Sequence, residues 1–356
     1  MLKTQRLLCA LIVLPAVYAF ATPVEEFKFS IASGTALSRT IEQETEMSLD
    51  NMSMFQNETD MSGMMGKMEV TAKSKLTIKV SDKFVEMGDG TPNKLERTFE
   101  TLSSATSVSM QADNPMIPSS DKDISGKSDL EGKVVLFTRD GDGYKRSFGE
   151  DSTGDDEILA DLDEDLDFRA FVPRGRKSVG DGWTIELEEF KKLLAPGGNL
   201  QIEMEQSDED QMGFGSMGSE GNLWEQLGDL EGEVKAEFIK VEGDGAAQVA
   251  VVKLVFEIKS ARDMTEQARE EMEKNKDKMQ GAEIDIESAD VELDFKGEGE
   301  LRWSLGAGHL HSIDVSGEMG MAMENAMKAN MMGQSMSFRM SMEMSGSFTQ
   351  KIAIDA

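Results

Sequence analysis

The sequence predicts an α+β fold, mainly antiparallel β, in which long strands build one large curved sheet or open barrel with two or three accessory helices. Three observations predict it. Apolar residues recur at every second position over much of the chain, as they do in a strand with one buried face. Turn residues that tolerate positive φ separate these runs at hairpin spacing. Helical periodicity is confined to a few short segments.

The elements follow in order along the chain. Residues 1–21, "MLKTQRLLCALIVLPAVYAFA", combine basic Lys3 and Arg6, an apolar run from Leu7 to Val17, and small residues at Ala19 and Ala21. This is the pattern of a secretory signal peptide. The apolar run falls short of the roughly 20 residues that a permanent membrane anchor needs, and no other stretch approaches that length. Residues 22–356 are then expected to form a single exported β-rich domain. Cys9 is the only cysteine and lies inside the signal, so the mature chain has no disulfide, thiolate nucleophile or cysteine-bound metal. A disulfide-free exported chain of this size points to a bacterial periplasmic or secreted protein. The formal net charge of −31 repels nucleic acid and anionic lipid heads.

"KMEVTAKSKLTIKVSDKFVEM" alternates at Met68, Val70 and Ala72 and at Leu76, Ile78 and Val80. "KVVLFTRDGDGYKRSF" reads as a hairpin closing on Asp140 and Gly141, because a tight primed turn selects such residues. "GEVKAEFIKVEGDGAAQVAVVKLVFEIKS" repeats the design with Gly243, Asp244 and Gly245 at its tip. "AEIDIESADVELDFKGEGELRWSL" supplies further strand, residues 306–308 a turn, and "HLHSIDVSGEM" the returning strand. The last run, "MSFRMSMEMSGSFTQKI", sets Met336, Phe338, Met340, Met342, Met344, Phe348 and Ile352 on one parity, the pattern of a buried strand face.

Helices are expected over 155–168, where Ile158, Leu159, Leu162 and Leu166 share a face and acids share the other. A second is expected up to Leu194, stopped by Pro196 and Gly197, and the longest over 261–280. Mobile loops are expected near 50–66, 111–128 and 205–222, which are polar, proline- or glycine-rich, or methionine-laden.

Motifs that carry chemistry are tested against their physical requirements. Residues 213–218 satisfy the G-x-G-x-x-G string, but Asp208, Glu209 and Asp210 stand where the apolar strand of a dinucleotide fold belongs. Gly126-Lys127-Ser128 resembles the end of a phosphate loop whose opening glycine is replaced by Asp121. The acidic run from Glu150 to Asp167 fits no EF-hand frame, since the sixth and twelfth positions lack glycine and glutamate. It leaves a looser calcium site or a solvated helix face as readings. His309 and His311 are the only histidines, and the strings of serine hydrolases and zinc proteases are missing. The expectation is a non-enzymatic protein, with a hydrolase whose carboxylate site has no signature as a remote alternative.

The 27 methionines admit three uses. Met319, Met321 and Met323 with His309 and His311 have the Met-x-Met and histidine composition of exported copper handlers, because a soft thioether suits Cu(I). The same spacing is what a half-buried strand must show, with Met as a flexible filler. A third use is an adaptable apolar lining for lipid or another apolar ligand. No cofactor is expected on the strand and lining readings; copper is expected on the first.

Two segments carry a family resemblance. "FVPRGRKSVGDGWTIE", 171–186, resembles the Pro-x-x-x-Val-Gly-Asp-x-Trp segment of uncharacterised exported bacterial proteins of planctomycete type, here as Pro173, Val179, Gly180, Asp181 and Trp183 with a longer spacer. "GEGELRWSLGAGHLHSIDVSGEM", 297–319, is similar to their closing hairpin. The resemblance spans about a third of the chain. It implies a fold like that of curved-sheet lipoprotein carriers, whose half-open barrels shelter an acyl chain. The sequence therefore leads to an exported binding or envelope-associated protein that shelters an apolar ligand.

Overall fold

The computed structural model describes residues 24–114, 119–204, 228–274, 283–331 and 334–355. The strands are β1 (Val24–Phe27), β2 (Ala36–Gln56), β3 (Thr59–Asp60), β4 (Met68–Met87), β5 (Pro92–Ala112), β6 (Ser120–Ser128), β7 (Val134–Asp140), β8 (Gly143–Phe148), β9 (Gly175–Ser178), β10 (Gly182–Ile185), β11 (Ile202–Met204), β12 (Asp229–Glu242), β13 (Val249–Asp263), β14 (Glu283–Ser304), β15 (His309–Met331) and β16 (Gln334–Asp355). Among the described residues three α-helices join them: α1 (Ser62–Met65), α2 (Leu187–Leu194) and α3 (Thr265–Lys274). All pairings are antiparallel, and 14 strands form one open sheet in the order β10-β12-β13-β14-β15-β16-β2-β4-β5-β6-β11, with β3, β7 and β8 attached at its side. β1 and β9 pair separately.

The chain's own connections force this sheet to curl. Laid flat, its terminal strands β10 and β11 would stand about 48 Å apart at about 4.8 Å per strand. The residues 186–201 that join them include the eight-residue helix α2, so the connection reaches at most about 40 Å. Aromatic contacts show the same curl, because Phe27 meets Phe238 of β12 with ring centroids 5.3 Å apart while Phe29 meets Phe84 of β4 at 6.0 Å. Strands far apart in the sheet order thus touch one short segment.

Segment 24–31 and residues 150–200 cover the inner, concave face. Ile41, Ile78, Val80, Phe84, Leu95, Phe99, Leu102, Val252, Leu254, Leu301, Trp303, Ile313 and Ile352 face this cover and are nearly inaccessible. α2 turns Phe190, Leu193 and Leu194 onto the sheet, with Glu188 and Glu189 in its first turn and Lys191 and Lys192 in its last, each suited to the helix dipole. In one cross-strand row Phe256, Gly297, Gly317 and Phe348 stand side by side. The two glycines leave room for both rings, whose centroids lie 5.9 Å apart. A Cβ on Gly297 would sit 2.3 Å from the Ser316 carbonyl oxygen and 2.7 Å from Phe256 Cζ.

The expected antiparallel sheet and the helix ending at Leu194 are present, and several boundaries differ. The helix expected over 155–168 is a single 3₁₀ turn at Asp156–Leu159 followed by irregular chain. Asp163 and Asp165 side chains there accept backbone N–H groups two residues on, a local bond that competes with the helix. The helix expected over 261–280 begins at Thr265, since residues 261–263 finish β13, and residues 275–280 lie outside the described residues. Two expected loops are largely strand. β2 runs on to Gln56 because a bulge at Asp50 reverses its parity, so the loop near 50–66 begins only at Asn57. Residues 120–128 form β6, a strand so polar that no alternation marks it. The methionine group from Met319 to Met332 carries no strand signal strong enough to distinguish it from loop, yet it is strand β15 as far as Met331, and Met332 lies outside the described residues. The loop expected over 205–222 and the glycine string 213–218 lie outside the described residues, as does the segment 1–21. The β7–β8 turn falls on Gly141 and Asp142, one residue later than expected.

Gly297→Val is expected to lower unfolding free energy by about 1–3 kcal/mol through overpacking against the backbone and the Phe256 ring, read from the urea midpoint, while Gly63→Val, which meets open space, leaves the midpoint nearly unchanged.

Candidate functional site

The strands are longer than the cover. On β2, β15 and β16 the inward residues beneath the cover include the branched and aromatic Ile41, Ile313, Val315, Phe348 and Ile352, with Gln43 and Gln350 buried among them. Farther along the same face of the same strands they are methionines. Register places them in rows across the sheet: Leu293, Met321, Met344 and Leu49 in one, Val291, Met323, Met342 and Met52 in the next, then Ala289, Asn325, Met340 and Met54. Ile286, Met327, Phe338 and Gln56 follow. Met47, Met342 and Met344 are buried against one another at 6%, 3% and 8% exposure, with Leu49, Met319, Met321 and Met323 packed around them. Met52, Met54, Met327, Phe338 and Met340 stay half-exposed.

Two sheet irregularities shape this surface. The bulge at Asp50 keeps Met52 and Met54 turned inward after Leu49. A second bulge, at Glu287, does the same for Ile286 on β14. Helix α3 closes the β14 edge beyond the end of β13: the Met264 N–H donates to the Ala289 carbonyl, the Ala289 N–H to Thr265 Oγ1, and Arg269 Nε to the Ile286 carbonyl. The strand edge is thereby protected from pairing with another chain.

A buried ionic network ties the cover to β2, β4 and β5. Asp82 on β4 receives a two-toothed pair from Arg97 of β5, Nε to Oδ1 at 2.7 Å and Nη2 to Oδ2 at 2.9 Å, and a third bond from Arg39 Nη1 of β2 at 2.7 Å. Arg97 also donates to the carbonyls of Asp163 and Glu164 at 2.8 Å each, and Arg39 Nη2 reaches Asp167 Oδ2 at 2.7 Å. Arg169 bridges Glu164 and Asp165 at 2.5 and 3.1 Å, and Lys192 stands 3.8 Å from Asp163. Of the acids expected on a solvated face or around a calcium ion, Glu164, Asp165 and Asp167 are thus buried with arginines as their cations, whereas Asp151, Asp155, Asp156, Glu157 and Asp161 are exposed. Five carboxylates face four cations, and burial pushes Glu164 up to about 7, Asp165 adding to the effect. Asp163 and Asp167 are raised for the same reason, whereas Arg169 holds Asp165 below the usual range despite its burial.

The five copper-reading residues do not converge. His309 and His311 open β15 on the side of the strand opposite buried Leu310, and His311 is the extra residue of a bulge. Met319, Met321 and Met323 face inward, and eight residues of strand set His311 about 26 Å from Met319. Sequence reading missed the methionines opposite them, Met47, Met52, Met342 and Met344, as neighbours; only register supplies that. No group of three or more His, Cys, Asp or Glu residues is disposed to hold a metal ion among the described residues. No helix among them is long and apolar enough to cross a membrane. Trp183, central to the family resemblance, packs on Phe27 and donates its indole N–H to the Phe171 carbonyl at 2.9 Å.

Two shallow hollows of about 710 and 890 Å³ interrupt the sheet surface. In the first, Lys75 pairs with Glu44 and Lys73 with Glu46; in the second, Lys235 pairs with Glu233. The chain matches no protein-family model and no curated protein.

Asp82→Asn is expected to cost about 3–5 kcal/mol, since it strands two buried guanidinium groups, and urea unfolding reads this directly. The pH dependence has a fixed sign. Glu164 binds its proton more tightly in the fold, at about 7, than at the ordinary value of 4.5, so stability falls as pH rises through that window. The urea midpoint is expected to drop between pH 5.5 and pH 8, and Glu164→Gln to flatten the drop.

Proposed function

We propose that this chain is an exported, non-enzymatic binding protein whose uncovered methionine face shelters an apolar ligand of acyl-chain type. One observation carries the reading: along single strands, the inward residues change from a set rich in branched and aromatic side chains, with Gln43 and Gln350 among them, to one rich in methionine. A dry, filled core favours side chains with few rotamers, and a face that must fit a mobile hydrocarbon favours an unbranched, polarisable one. The half-open sheet supports the same reading as the resemblance to curved-sheet carriers, at the level of shape. The apparent signal at residues 1–21 supports export to the periplasm or medium.

A second reading, Cu(I) binding, is favoured by a single feature, the row Met323, Met342 and Met52 with three thioethers on adjacent strands. It needs no histidine. Changing Met319, Met321 and Met323 to Leu would weaken competition for Cu(I) against a chromogenic chelator on this reading and leave it unchanged on the first.

The principal experiment extracts natively purified protein with organic solvent and titrates the lipid-free protein with an environment-sensitive apolar dye. Acyl lipid in the extract and saturable, displaceable dye binding are expected. Met323→Glu, which sets a charge on a half-exposed site, is expected to weaken dye binding at least tenfold while the circular dichroism spectrum is kept. A clean extract together with dye binding that ignores this substitution would remove the proposal.

A further inference from the structure

Among the described residues, the inward positions of the methionine face carry one charged side chain, and its sign is the opposite of the protein's. From the row of Ile258, Phe295, Met319, Gly346 and Met47 outward, the inward positions of β13, β14, β15, β16 and β2 include no Asp or Glu. In a chain with 68 acidic and 37 basic residues, such an acid-free face is not what composition alone produces. The exception to its neutrality is Arg262. It lies on β13 on the same parity as buried Ile258 and Ser260, and it is half-buried. Register sets it opposite Val291, so Arg262, Val291, Met323, Met342 and Met52 form one continuous row.

Arg262 has no carboxylate partner among the described residues. Arg39, Arg97, Arg169, Arg269 and Arg302 all have acidic partners. Other arginines without an acidic partner are exposed, as Arg139, Arg174, Arg176 and Arg339 are, or donate to a backbone carbonyl, as half-buried Arg146 does to Leu162; Arg262 is half-buried on an inward-facing position. A guanidinium partly removed from water with no anion beside it is an open position for one, and its two parallel N–H bonds match a carboxylate. The row from Arg262 to Met52 crosses five strands, about 19 Å at about 4.8 Å per spacing. It offers an anion-binding end followed by an apolar path.

We propose that the ligand sheltered by the methionine face is a long-chain fatty acid, its carboxylate held by Arg262 and its chain laid across β14, β15, β16 and β2. This inference rests on the apolar-ligand reading and adds its head group. One cation on the face calls for one anionic head. The acid-free surroundings remove the repulsion that the rest of this acidic surface imposes on such a head.

The experiment compares a fluorescent long-chain fatty acid with its methyl ester, below their micelle concentrations, on wild type, Arg262→Gln and Arg262→Lys. The acid is expected to bind wild type at least tenfold more tightly than the ester, with a preference that weakens as salt is raised. Arg262→Gln is expected to abolish that preference and leave ester affinity unchanged. Arg262→Lys, which keeps the charge and loses the paired donors, is expected to fall between, and it serves as the folded control. Equal binding of acid and ester by wild type overturns the head-group assignment and leaves the apolar reading standing, as does acid binding unaffected by either substitution. Failure to bind both the acid and the ester sinks the apolar reading itself. Tighter binding to vesicles of anionic phospholipid than to the free acid, lost in Arg262→Gln, overturns the carboxylate in favour of a phosphate.

Discussion

Arg39 and Arg97 bring two charges onto the inner face of the sheet, and the cover is arranged around the oxygens that receive them. Neither guanidinium is accessible, so each must be matched in place or cost several kcal/mol. Asp82 satisfies part of this from within the sheet, and Asp167 and the carbonyls of Asp163 and Glu164 add partners from segment 160–170. Burying ions in this way adds little net stability compared with apolar packing. Its consequence is positional: a largely irregular segment, ending in a 3₁₀ turn at Arg169–Phe171, is fixed at one depth and register over β2, β4 and β5.

That fixed position divides each long strand into two environments. Beneath the cover, volume is defined and the side chains are mainly Ile, Val, Leu and Phe, with Gly297 and Gly317 giving way to two phenylalanine rings. Beyond it the same face is curved, concave and partly wet, and the side chains become methionine. Curvature follows from the short connection between β10 and β11, so the groove and the cover have one origin. The cover needs the edges drawn together, and drawing them together makes the uncovered part a trough.

Much of this architecture was legible from period-two alternation, because a strand with one face in water must alternate. The signal failed where geometry changed without composition changing. At Asp50 an extra residue reverses parity, and Met52 and Met54 look unrelated to Ile41 and Met47 although all four face inward. β6 fails for the opposite reason: it lies near the sheet edge with little to bury, and its sequence resembles a loop. The acidic run 155–167 shows the limit of charge reading. Its leucines do reach the core, yet Glu164, Asp165 and Asp167 are buried too, because adjacent Arg169 and the sequence-distant Arg39 neutralise them.

The sequence by itself determined the antiparallel class, the closing hairpins, the helix ending at Leu194 and the inward parity of Met340, Met342 and Met344. These depend on interactions between near neighbours and on the twofold repeat of the strand. Only the tertiary structure decided which methionines oppose one another, that His309 and His311 point away from them, that the acids meet Arg39 and Arg97, and that Arg262 shares a row with Met323, Met342 and Met52. Such facts follow from register and curvature, and those are set by contacts between residues that no local pattern connects.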